Sequence, residues 1–65
     1  MQGILKIVSQ QKVDVYADKT KTSQIIAEAV DNQIYSYNKK IHGWYEILLP
    51  DLKRGWIPVQ FGEEI

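Results

Sequence analysis

Cysteine is absent from this 65-residue chain, and histidine occurs once, at His42. That excludes a disulfide framework and a Cys/His zinc site, the staples on which very small domains often depend. Without them the fold must hold by burying its large apolar side chains, against roughly 1.5 kcal/mol of conformational entropy per ordered residue. Neither sign of charge predominates: eight Lys and Arg face eight Asp and Glu, for a formal net charge of zero. Nucleic-acid binders concentrate positive charge on one face, whereas Lys39-Lys40 and Lys53-Arg54 are the only adjacent basic pairs here. A nucleic-acid partner is therefore disfavoured, since it needs those four side chains to converge across a hairpin. No apolar run approaches the roughly 20 residues that cross a bilayer, so no membrane span is expected. No basic segment followed by a long apolar one opens the chain at Met1, and no secretory signal is read there. The missing cysteines suit the cytoplasm and equally suit a secreted bacterial protein sparing in disulfides, which leaves localisation open. The expectation is one domain over residues 1–65, excised from a larger protein.

What is present is a run of short β-prone segments separated by turn residues, centred on Gly43 to Phe61. Trp44, Glu46 and Leu48 alternate with Tyr45, Ile47 and Leu49, the period-2 pattern of a strand with one buried and one more exposed face. The segment Pro50 to Arg54 turns the chain, and Gly55-Trp56-Ile57 begins a partner strand that Pro58 must end or confine to an edge. Upstream, Ile4 to Val8 reads as a first strand and Val13 to Tyr16 as a second, with Asp14 and Tyr16 on the face opposite Val13 and Val15. The polar stretch Ala17 to Gln24 is a loop. Ile25 to Val30 suits a strand or one and a half turns of helix; a strand is preferred because so short a helix is unstable alone and Asp31-Asn32 is a good turn pair. Gln33 to Lys39 is a strand with Tyr35 and Tyr37 on one face, and Lys40 to Gly43 turns into the central pair, Gly43 being free to take positive φ. After Pro58, Val59 to Phe61 has room for one 3-10 turn, with Phe61 placed to plug an open end, and Gly62 to Ile65 is a last short strand or a tail. Five or six short antiparallel strands are too many for one flat sheet of this size. They suit an all-β sheet curled into a small barrel, which removes exposed edges.

These segments resemble the SH3-like barrel family, and more closely its bacterial branch. Val13-Asp14-Val15-Tyr16, the polar loop and Ser23-Gln24-Ile25-Ile26 are similar to the family's opening strand, long first loop and return into the barrel. Asp31 to Tyr35 resembles the turn before the third barrel strand. Gly43-Trp44-Tyr45-Glu46-Ile47 matches the Gly-Trp-Tyr-x-Val strand, and Gly55-Trp56-Ile57-Pro58 with Phe61 resembles the closing strand and its helical turn. The first arm departs from the bacterial pattern in lacking its arginine and Gly-Pro pair, and the loop carries Lys19 and Lys21 where proline-peptide-binding members are acidic. The resemblance implies a small SH3-like barrel and a non-catalytic targeting module for cell-wall peptidoglycan or its peptides. The alternatives are a structural or protein-interaction domain docked on a neighbouring protein domain, and weak nucleic-acid binding.

Candidate ligand-binding residues follow from the aromatic content and the resemblance: Tyr16, Tyr35, Tyr37, Trp44, Pro58 and Phe61. Large aromatic surfaces dominate recognition sites. The competing account of Trp44 and Trp56 is packing across the barrel, and of the tyrosines is cross-strand packing with the hydroxyls in water. Lys39, Lys40, Lys53 and Arg54 are the candidate basic patch. No catalytic residues are expected: carboxylates occupy turns and strand ends, Ser23 and Ser36 have only His42 as a possible base, and His42 is a turn residue. No metal and no cofactor is expected.

Overall fold

The structure, a computed structural model, describes residues 3–65; the expected chain start at Met1 and Gln2 lies outside them. Seven antiparallel strands and one 3-10 turn follow in order: β1 (Gly3–Ile7), β2 (Val13–Tyr16), β3 (Ile25–Ala29), β4 (Ile34–Ile41), β5 (Trp44–Leu48), β6 (Arg54–Pro58), the 3-10 turn (Val59–Phe61) and β7 (Gly62–Glu64). In space they run β3-β2-β6-β5-β4-β1-β7 within a single sheet. Laid flat, seven strands would span about 29 Å but stand only about 10 Å thick. The principal extents are 28 × 28 × 24 Å, so the sheet is rolled up. Register shifts between Val15 and Tyr16 and between Tyr37 and Lys39 mark the irregularities at which β2 and β4 bend.

Alternation along the strands decides what the roll encloses. Leu5 and Ile7 of β1, Val13 and Val15 of β2, Ala29 of β3, Tyr45 and Ile47 of β5 and Ile57 of β6 point inward and join Leu49 in one buried core. Tyr35, Tyr37, Val59 and Phe61 pack against its rim. At Gly55 the backbone is closely approached from the core, because a Cβ there would run into Cγ1 of Val15. Its importance is this close approach; positive φ among the glycines belongs to Gly43, at 81°.

Of the two expectations for the closing segment the strand is the one found: Gly62–Glu64 pairs with β1 through Leu5↔Glu64 and Ile7↔Gly62, and the count is seven where five or six were expected. Two further details differ from the sequence-based expectation. Strand β4 runs on through Lys40 and Ile41, because His42 and Gly43 alone make the turn, with φ of 52° and 81°, the left-handed pair of a tight two-residue hairpin. The Leu49 expected in the strand lies just past β5, yet it stays buried and donates its N–H to the Lys53 carbonyl at 2.8 Å. Ile25–Ala29 is a strand, held by pairing of Ala29 with Val13 and Ala27 with Val15.

Candidate functional site

Because Val13 and Val15 face the core, Asp14 and Tyr16 stand on the outer face of β2. The same alternation in β5 buries Tyr45 and Ile47 and turns Trp44 outward. The Trp44↔Pro58 and Tyr16↔Trp56 pairs then bring β2, β5 and β6 alongside one another. Tyr16 and Trp44 meet edge to face, with ring centroids 5.7 Å apart and planes at 89°. Past Tyr16 opens a groove of about 200 Å³ lined by Lys12, Asp14, Tyr16, Lys21, Pro58 and Phe61. Pro58 ends β6 with φ −62° and holds the wall rigid, and the 3-10 turn after it carries Phe61 to the rim. Tyr16, Trp44, Pro58 and Phe61 are all half-buried: anchored by the fold and open on one side.

These four sequence candidates converge, while Tyr35 and Tyr37 lie elsewhere, on the inward side of β4 against the core. The Tyr35 hydroxyl donates to Gln33 Oε1 at 2.9 Å, and partial burial raises its phenol pKa. The Tyr37 hydroxyl donates to Glu64 Oε1 at 2.8 Å, and its ring meets Tyr45 at 5.0 Å. Tyr45 Oη and Lys40 Nζ reach the other oxygen, Oε2, at 2.8 and 3.1 Å. Donation by Tyr37, Tyr45 and Lys40 holds the Glu64 carboxyl down at about 2. The same carboxylate, through the hydrogen bond first and burial second, raises the Tyr37 phenol, whereas burial comes first for Tyr45. This cluster ties β7 to β4 and β5 and is structural.

The register strings the four basic candidates along β5. Lys40 pairs with Tyr45, Lys39 with Glu46 at the middle of the strand and Arg54 with Leu48 at its end, with Lys53 just before it in the loop, so Lys39 and Arg54 are both neighbours of Glu46. Lys40 is held by Glu64, and Arg54 Nη1 lies 3.4 Å from Glu46 Oε1. Cations do gather elsewhere. Lys12 and Lys21 line the groove, and Lys19 Nζ lies 5.3 Å from the ring centre of Trp56, which is 8% exposed and mainly structural. Sequence reasoning missed Lys12, Asp14 and Lys21 as groove residues. The alternation of β2 exposes Asp14 beside Tyr16, but nothing local signals that Lys12 and Lys21, on either side of that strand, share one rim.

Two other depressions occur on the outer face. One of about 90 Å³ lies between β4 and β5 over Asn38, Glu46 and Arg54, where Asn38 Nδ2 and Arg54 Nη1 donate to Glu46 Oε1 at 3.3 and 3.4 Å. The other, about 380 Å³, is bordered by Ile34, Leu48, Pro50 and Leu52. Among the described residues no three His, Cys, Asp or Glu side chains gather as metal ligands, and no helix is long and apolar enough to cross a membrane. His42 is exposed in its turn, at a φ of 52°. Comparison with known protein families, curated proteins and solved structures finds no match in any of the three.

Proposed function

We propose that this domain is a non-catalytic binding module that seats an extended peptide against Tyr16, Trp44, Pro58 and Phe61. The convergence of Tyr16, Pro58 and Phe61 around one open groove, with Trp44 joined to them by its ring contact with Tyr16 and its pairing with Pro58, carries the reading. Rigid aromatic and proline surfaces bind alternate side chains of an extended chain at little entropic cost. The resemblance to bacterial SH3-like domains supports cell-wall peptidoglycan or its peptides as the target, with the module positioning a larger protein there. Retention of the folded domain on purified cell walls, lost in Tyr16→Ala and Trp44→Ala, is the test. Equal retention of the wild type and both variants would remove the groove from the function.

One observation favours a second reading, docking onto a neighbouring protein domain. Ile4, Ile34, Leu48 and Leu52 are 49%, 53%, 41% and 81% exposed. Ile34, Leu48 and Leu52 border one depression, and Ile4 stands nearby on β1, paired with Ser36 of β4, so an apolar surface runs over the outer face there. Failure of wall binding together with loss of a protein partner on Leu48→Asp would shift the function to that face.

A further inference from the structure

We infer that the groove selects an acidic peptide, one whose carboxylate docks between Lys12 and Lys21 while a neighbouring apolar residue rests on Tyr16, Pro58 and Phe61. This rests on the peptide-binding reading above and specifies the ligand's charge. The lining holds two lysines and one carboxylate, Asp14. Lys21 has no ion-pair partner among the described residues. Lys12 has only a long, solvent-exposed contact, 3.7 Å to Glu28 with the two side chains 69% and 56% exposed, and such pairs contribute little. Lys19, beside the groove over Trp56, is in the same position, 3.9 Å from Asp18. An incoming carboxylate therefore gains cations that are extended, solvated and weakly engaged. Asp14 lines the groove with no side-chain hydrogen bond among the described residues and, being acceptor-only when ionised, takes a backbone N–H of the ligand strand. Of the other acids, Glu28 pairs with Asp14 across β2 and β3 and competes for Lys12 at 3.7 Å, which leaves Lys21 as the cation an incoming carboxylate meets without a rival among the described residues, and Glu46 is turned to Asn38 and Arg54. A polyanion such as RNA would need a track of free cations, whereas Asp14 stands between the groove lysines and, of the adjacent basic pairs, Lys40 and Arg54 are already engaged by Glu64 and Glu46.

The test uses short capped peptides of Pro and Leu that differ only in one central residue, Glu, Gln or Lys, titrated against the intact domain by tryptophan fluorescence at low and high salt. A uridine oligonucleotide is a separate arm. The expected order is Glu tighter than Gln tighter than Lys, with a preference of about threefold to fivefold per step that shrinks with salt. Lys21→Glu, in an exposed loop position and checked for an unchanged melting curve, is expected to abolish or invert that order while Gln-peptide binding persists. Equal affinities, or preference for the Lys peptide, overturn the charge inference and leave the peptide groove standing. Binding of the oligonucleotide alone, or of no probe, overturns both.

Discussion

Tyr16 and Trp44 come from the second and fifth strands, yet their rings meet edge to face at 5.7 Å, bridging the first arm and the central hairpin on the outer face of the barrel. An edge-to-face pair is worth about 0.5–1.5 kcal/mol beyond area burial. Trp44 is only half-buried. Trp44→Ala is therefore expected to lower stability by about 1–2 kcal/mol, leaving the domain folded, while weakening peptide binding by about tenfold or more. Urea unfolding and fluorescence-independent calorimetry on the same sample check the two effects. Loss of folding in Trp44→Ala would make the residue part of the core.

Acid stability is tied to Glu64. Its folded-state pKa is depressed from 4.5 to about 2 by the hydroxyls of Tyr37 and Tyr45 and the ammonium of Lys40. A depressed carboxyl contributes stability that is fully present above its unfolded pKa and is lost as pH falls through the folded one. The melting temperature should accordingly fall between about pH 4.5 and about 2, and Glu64→Gln should flatten that slope. Since the side chain is 45% exposed, added salt should weaken the effect, and an unchanged slope in Glu64→Gln would exclude this residue as its source.

Gly55 and Gly43 are expected to respond for opposite reasons. A Cβ on Gly55 strikes Val15 in the barrel wall, so Gly55→Val should cost about 2–3 kcal/mol in urea unfolding through overpacking. A Cβ on Gly43 meets nothing within 4 Å, and Gly43→Ala should cost only about 1 kcal/mol, from the left-handed φ of 81°.

Leu52 holds a left-handed φ of 67° at a loop tip while 81% exposed. A leucine there gains almost no burial to offset its backbone strain of about 1–2 kcal/mol. Leu52→Gly should therefore raise the melting temperature or leave it unchanged, and a fall would show that the leucine packs in solution.

How legible this was in the sequence depended on range. Alternation around Trp44 to Leu49 and Val13 to Tyr16 told the strands and their two faces, since side-chain direction is local. The strand at Gly62–Glu64 was less visible because three residues carry little pattern and its pairing with β1 joins the ends of the chain. The candidate list mixed two faces for a similar reason. Tyr35 and Tyr37 look like Tyr16 in sequence, but the register of β4 against β1 and β5 turns them to the core rim. Which lysines flank the groove depended on the course of the 17–24 loop, set by contacts such as Ser23 Oγ donating to the Thr20 carbonyl at 2.7 Å, and not on any repeat of basic residues.

The pairing of β1 with β7 also makes the strands' order along the chain partly dispensable. Ile65 donates its N–H to the Ile4 carbonyl at 3.0 Å, so the first and last described strands lie side by side. A circular permutant that joins these ends through a short flexible bridge and opens between Pro50 and Lys53 keeps every strand intact, and with it the groove.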